Sequence, residues 1–260
     1  MNNVTSTDGT TIAYERSGSG PPLILVDGAM CYRGSGPMLG FASALRNSFT
    51  VYAYDRRGRG ESADTLPFAV EREIDDLRAL VTEAGGTAYG FGISSGAALL
   101  LRAAAAGVGF SRLALFEPPF ISETDGGEWS RRYTAGLDEA LSAGRNGDAI
   151  ALFMTSVGMP PEAVAGLRGQ PFWPVFEAVA PTLAYDNAVM GDAAVPRAAA
   201  ASIAVPTLVA AGAASPDNLR AAVKATAAAV PGSVYRELPD QTHDVSPDAL
   251  APVLREFFGN

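Results

Sequence analysis

Ser94 sits in the run Tyr89-Gly-Phe-Gly-Ile-Ser-Ser-Gly96, in which Gly92, Ser94 and Gly96 spell Gly-x-Ser-x-Gly. A hydroxyl is a weak nucleophile until a neighbouring imidazole accepts its proton. The chain carries one histidine, His243, within Leu238-Pro-Asp-Gln-Thr-His-Asp-Val245. This pair points to acyl transfer, with Ser94 attacking a carbonyl carbon and His243 moving the proton. A solitary histidine also argues against a His-based zinc site. No metal or other cofactor is expected.

A serine on so sharp a turn needs small residues two positions before and after it, because larger ones collide with the adjoining strand and helix. Residues 88–91 read as a strand and residues 97–106 as a helix of strong formers, so the order is strand, turn, helix. Short apolar runs at 23–26, 49–54, 113–116, 207–211 and 234–238 predict further strands buried on both faces. Residues 10–17, after the Asp8-Gly9 turn signal, predict an antiparallel start to the sheet. Residues 70–84 and 249–258 space their apolar side chains three and four apart, the helical period. Strands alternating with helices predict an α/β fold, a mostly parallel twisted sheet covered by helices on both faces.

That rhythm breaks between Pro118 and Pro206, where helix-like pieces are interrupted by glycines and prolines. The predicted division is a core of residues 1–117 and 206–260, with 118–205 inserted as a helical lid. Trp129, Phe153, Met154 and Trp173, together with Met30, are the candidate substrate contacts of a mainly apolar pocket.

Taken together, these segments resemble the α/β-hydrolase superfamily over essentially the whole chain. Beside Gly92-Ile-Ser-Ser-Gly96 and His243, the segment Tyr54-Asp-Arg-Arg-Gly-Arg-Gly-Glu-Ser62 is similar to that superfamily's Asp-x-Arg-Gly-x-Gly-x-Ser turn. Leu23-Ile-Leu-Val-Asp-Gly28 resembles its strand ending in His-Gly, with Asp27 in the place of the histidine. The resemblance implies that Gly92 and Gly96 frame a nucleophile elbow and that the amides of Ala29 and Ser95 form an oxyanion hole. It also implies that the arginines of the 55–62 turn pin loops through carboxylate and carbonyl contacts. An acid beside an oxyanion is unfavourable, so the Asp27 carboxylate is expected to point away, toward Arg33.

Most members of the superfamily place the triad acid as Gly-x-x-Asp after the strand that corresponds to 207–211. Here the segment reads Gly212-Ala-Ala-Ser215, a serine at that position. Glu117, at the end of the 113–116 strand, is the preferred acid. Haloalkane dehalogenases and zearalenone-type lactone hydrolases are similar in carrying theirs at this strand end. Asp217 is the alternative, with a helix N-terminal role as its other reading, and a chain with no conventional third member is the remaining one. A serine at the elbow excludes the alkyl-enzyme chemistry of dehalogenases and epoxide hydrolases. The resulting expectation is a serine hydrolase cleaving an ester or lactone of a small to medium, mainly apolar substrate.

Two other readings stay open. One is a hydrolase-fold ligand-binding protein with weak or no turnover. The other is a dinucleotide-dependent oxidoreductase, because Gly90-x-Gly92-x-x-x-Gly96 after a strand, with Glu117 further on, fits a loose cofactor template.

Composition narrows the field. The 260 residues suit one large domain or a core with an insertion, and 48% hydrophobic with 18% charged residues excludes a disordered class. A net charge of −9 argues against nucleic acid and anionic membrane as partners, leaving a small-molecule substrate. One cysteine, Cys31, allows no internal disulfide, and no apolar stretch is long enough for membrane insertion. A cytoplasmic location is expected; the oligomeric state is left open.

Overall fold

The computed structural model describes residues 1–121 and 127–259, so residues 122–126 of the predicted insertion lie outside the described residues. The Asp8-Gly9 turn joins β1 (Asn2–Thr5) to β2 (Thr11–Gly18) as an antiparallel pair. The remaining strands are β3 (Pro22–Val26), β4 (Thr50–Tyr54), β5 (Ala88–Ile93), β6 (Phe110–Phe116), β7 (Thr207–Gly212) and β8 (Val234–Leu238). They form one sheet in the order β1-β2-β4-β3-β5-β6-β7-β8, antiparallel only where β1, β2 and β4 pair.

The central strands read as unbroken apolar runs because both of their faces are covered. In β3, Leu23 and Leu25 enter one core while Ile24 and Val26 enter the other, as a period of two requires. Ala114 and Phe116 of β6 share the first core, and Leu113 and Leu115 the second. The first core is closed by α1 (Met38–Leu45) and by α11 (Pro247–Gly259), through Phe41, Leu45, Leu254 and Phe258. Helix α1 is absent from the sequence reading; it is short and follows a glycine-rich loop, which hides its period.

The second core is closed by α2 (Val70–Glu83), α3 (Ser95–Ala105) and a later helix near the carboxyl terminus. Helix α3 buries every residue from Ala97 to Leu101. The 97–106 run therefore looks hydrophobic all round, as a helix wedged between a sheet and further helices should.

Between β6 and β7 no strand occurs among the described residues. This stretch supplies α4 (Glu128–Ser142), α5 (Asn146–Ser156), α6 (Pro161–Arg168), α7 (Trp173–Val179), α8 (Leu183–Met190) and α9 (Arg197–Ala201). Helix α10 (Asp217–Ala229) then leads from β7 to β8. Helices α4 to α8 share a separate apolar cluster, with Leu137, Ile150, Met154, Trp173 and Leu183 inside it. Ala29 and Met30 of the loop after β3 pack against that cluster, so the helical layer rests on the carboxyl-terminal edge of the sheet. Among the described residues no helix is long and apolar enough to cross a membrane.

Candidate active site

Strand β5 ends at Ile93, and α3 begins only two residues later, at Ser95. Ser94 makes that turn at φ 57° and ψ −128°, a conformation side-chain-bearing residues rarely adopt. Such strain, of about 1–3 kcal/mol, persists where the surroundings enforce it and clusters at functional sites. Here the enforcement is visible. A Cβ on Gly92 would lie 2.7 Å from the Gly96 carbonyl oxygen, and one on Gly96 would lie 2.3 Å from that of Val26. The Ser94 amide donates to the Phe116 carbonyl at 2.9 Å, which ties the turn to the next strand.

Ile93 is in register with Phe116, so Ser94 and Glu117 leave adjacent strands side by side. Glu117 also has positive φ, 47°, and is fully buried. Its Oε1 accepts from the Gly212 amide at 2.7 Å, and its Oε2 lies 2.7 Å from His243 Nδ1. The loop carrying His243 is seated directly on the end of β7, since a Cβ on Gly212 would come within 2.3 Å of the Gln241 carbonyl oxygen. Backbone bonds from Ala213 to Leu238 and from Ala214 to Gln241 hold that seat. With Nδ1 committed to a carboxylate, Nε2 is the nitrogen left to accept a proton. His243 is 39% exposed and Ser94 half-buried, so both are open to a small molecule.

Asp217 is elsewhere. Its side chain is 94% exposed at the start of α10, paired with Arg220. Ser215, where a Gly-x-x-Asp pattern would end, is buried and its hydroxyl has no partner.

The loop after β3 passes over the serine, and a Cβ on Gly28 would lie 3.2 Å from Ser94 Cβ. The Cys31 amide bonds back to the Gly28 carbonyl at 3.4 Å, and Met30 supports the turn with φ 61°. Neither the Ala29 amide nor the Ser95 amide is taken by a backbone carbonyl among the described residues. The Ser95 amide opens α3, where the helix dipole favours negative charge.

Asp27 corrects one expectation. Its carboxylate does not reach Arg33, whose guanidinium is committed to Asp55, Glu61 and Glu15 at 3.0, 2.7 and 3.2 Å. It lies instead against the loop of Cys31 and Gly36, buried and with no side-chain hydrogen-bond partner. Burial pushes Asp27 up to about 7, against the pull of Arg59 and Arg56.

The linkage follows with a definite sign. An unfolded chain loses this proton near about 3.9, whereas the folded protein keeps it to about 7. Folding stability from this residue is therefore full below about pH 4 and declines as pH rises toward 7. Asp27→Asn should flatten the fall in unfolding free energy between about pH 5 and 8.5 by on the order of 2 kcal/mol. Denaturant titrations at the two values check it; identical slopes in variant and wild type would mean that Asp27 is already ionised.

Of the apolar candidates, Met30, Trp129 and Phe153 are partly buried at the margin of the helical cluster. Trp129 stacks on Tyr133 with ring centroids 5.3 Å apart. Met154 and Trp173 lie inside the cluster at 8% and 5% exposure, and the Trp173 indole donates to Glu177. These two offer little surface to a substrate.

The arginines of the 55–62 turn do bind carboxylates and carbonyls, as the resemblance implies, but sequence reasoning missed one member of this buried group, Asp186. Arg56 is paired with Glu73, Arg57 with Asp76, and all three arginines of the 55–62 turn are buried. Asp186 of α8, far along the chain, completes the group by bonding Arg56, Arg59 and the Ser95 hydroxyl, each at 2.7 Å. Nothing local marks Asp186, because every partner is distant in sequence. Among the described residues no cluster of His, Cys, Asp and Glu could hold a metal ion.

Comparison with known proteins agrees with the fold. The model of a family described as "Alpha/beta hydrolase family" matches residues 18–255. The chain is similar to a solved alpha/beta hydrolase from Sphaerobacter thermophilus, with 51% identity over 99% of this chain and 100% of that one and a TM-score of 0.88. An enol-lactonase from Burkholderia xenovorans is similar in fold, at 24% identity, full coverage of both chains and a TM-score of 0.71. An uncharacterized hydrolase of Bacillus subtilis is 39% identical over 98 residues, which are 35% of this chain. The match spans about a third of that relative's length, 34%.

Proposed function

The chain belongs to the alpha/beta hydrolase family, and from that premise we propose that it is a serine hydrolase cleaving a carboxylic ester or lactone through an acyl-enzyme. The observation that carries the reading is the Glu117–His243 contact of 2.7 Å beside a strained serine on the neighbouring strand. Ser94 Oγ attacks the carbonyl carbon as His243 Nε2 takes its proton. Glu117 holds the Nδ1 proton and stabilises the imidazolium. The Ala29 and Ser95 amides receive the developing oxyanion. His243 then gives its proton to the leaving alcohol, and water repeats the sequence on the acyl-enzyme to release the acid and regenerate Ser94.

The helical layer serves in this reading as a lid. Met30, Trp129 and Phe153, partly buried at the margin of the helical cluster, are in this reading the apolar surface offered to substrate, which favours medium-sized, uncharged substrates. A dinucleotide site finds no support in the glycines, which packing already requires. A Cβ on Gly90 would come 2.7 Å from Leu100 and 3.1 Å from Phe110.

A fluorophosphonate probe and a p-nitrophenyl ester chain-length series, followed by a lactone panel, test the proposal. The expected result is one adduct, on Ser94, and hydrolysis that peaks at a medium acyl length. Absence of both labelling and hydrolysis would overturn it in favour of a ligand-binding protein.

A further inference from the structure

In that reading two amides face the oxyanion, and one buried carboxylate reaches both, one through Arg59 and the Gly28 carbonyl and the other through the Ser95 hydroxyl. Arg59 donates from one nitrogen to the Gly28 carbonyl at 2.7 Å and from another to Asp186 Oδ2 at 2.7 Å. A trans peptide points its C=O and N–H in opposite directions. Holding the Gly28 oxygen on Arg59 therefore aims the Ala29 N–H away from Arg59. On the other side, the Ser95 hydroxyl donates to Asp186 Oδ1 at 2.7 Å, fixing the first residue of α3 and its amide. Arg56, clamped by Glu73 at 2.6 and 3.0 Å, also reaches Asp186 Oδ1 at 2.7 Å and the Asp27 carbonyl at 3.3 Å. Burial pushes Asp186 up, but Arg59 and Arg56 outweigh it and hold the carboxyl below its ordinary value. Two guanidinium groups thus meet two carboxylates, and the cluster closes without Asp27.

We propose that Asp186 and Arg59 are positioning residues of the oxyanion hole, setting the Ala29 and Ser95 amides from a helix of the inserted layer. The proposal rests on the serine hydrolase reading. The layer then does more than cover the site, because α8 sets the spacing between two donors that come from different strands. Such donors act only when they meet the oxyanion at hydrogen-bond distance, and a misplacement of about 1 Å can cost about 10²-fold.

Asp186→Asn and Arg59→Lys are the direct variants. Ser95→Ala is the second kind, keeping the amide and every buried ion pair while removing one hydroxyl. Two readouts separate positioning from mere fastening. The first is the kcat and KM of a short p-nitrophenyl ester. The second is the inhibition constant of a trifluoromethyl ketone. That ketone takes the Ser94 oxygen on its carbonyl carbon, passes the serine proton to His243 and leaves its oxygen as an oxyanion in the hole.

The expected result for Asp186→Asn and Arg59→Lys is a kcat lower by about 10- to 100-fold, with KM within about twofold and ketone affinity weakened in parallel. Ser95→Ala should show the same pattern at about three- to tenfold. If Asp186→Asn and Arg59→Lys do not fold, Ser95→Ala decides alone. Variants with lower Tm but with kcat and ketone affinity both within twofold of wild type would overturn the proposal alone. Wild-type protein that neither cleaves the ester nor binds the ketone would overturn the hydrolase reading, and this inference with it.

Discussion

Ser94→Ala is expected to lower ester turnover by about 10⁶, the cost of removing a triad serine. The prediction is clean because the substitution spares the fold. Alanine keeps the Cβ and therefore the same positive-φ strain, and the Ser94 amide bond to Phe116 is untouched. What disappears is the one atom that bonds to the substrate in the proposed mechanism. Residual rate should come from the two amides and from substrate binding, which exceed water without a nucleophile. Stopped assays with a p-nitrophenyl ester, alongside thermal melts, read both quantities. A variant that melts normally and still turns over near the wild-type rate would move the chemistry away from Ser94.

The second large effect belongs to Glu117→Gln, about 10⁴ in kcat. Gln is close to isosteric and its carbonyl oxygen still accepts from the Gly212 amide, so the buried seat stays filled. Its amide nitrogen, however, donates where Oε2 accepted from His243 Nδ1. The imidazole must then offer Nδ1 as the acceptor and carry its proton on Nε2, which removes the base that Ser94 needs. Glu117→Ala is the poorer experiment, because it leaves a buried amide and an imidazole without partners. Asp217→Asn supplies the contrast: its exposed side chain should leave kcat unchanged. A Glu117→Gln rate within tenfold of wild type would take this acid out of the triad.

How far these residues were legible differs from one to the next. The elbow was readable because it needs small residues at a fixed spacing: a Cβ on Gly92 would strike the backbone of Gly96, and one on Gly96 the end of β3. His243 was readable because there is no other histidine to choose. Glu117 needed a comparison of two acids, and only the register of β5 with β6 and the seat of the His243 loop on β7 bring one of them to the imidazole. Asp27 was placed against the wrong neighbour, since Arg33 had three nearer carboxylates that the linear order does not reveal. Met154 and Trp173 are large and apolar, as pocket residues are, and both lie in the core shared by the helices between β6 and β7, which the linear order does not reveal.

The amino-acid order on its own determined the layered α/β architecture, the strand–turn–helix at Ser94 and the single histidine available as a base. These follow from short-range rules: the period of two for strands, the helical period, and the space a sharp turn leaves for a side chain. Tertiary structure alone decided which carboxylate meets His243, why Asp27 stays buried without an ion-pair contact, and how Asp186 comes to hold Arg56, Arg59 and Ser95 together. Those contacts join groups roughly a hundred residues apart, and their strength comes from burial, which no linear spacing encodes.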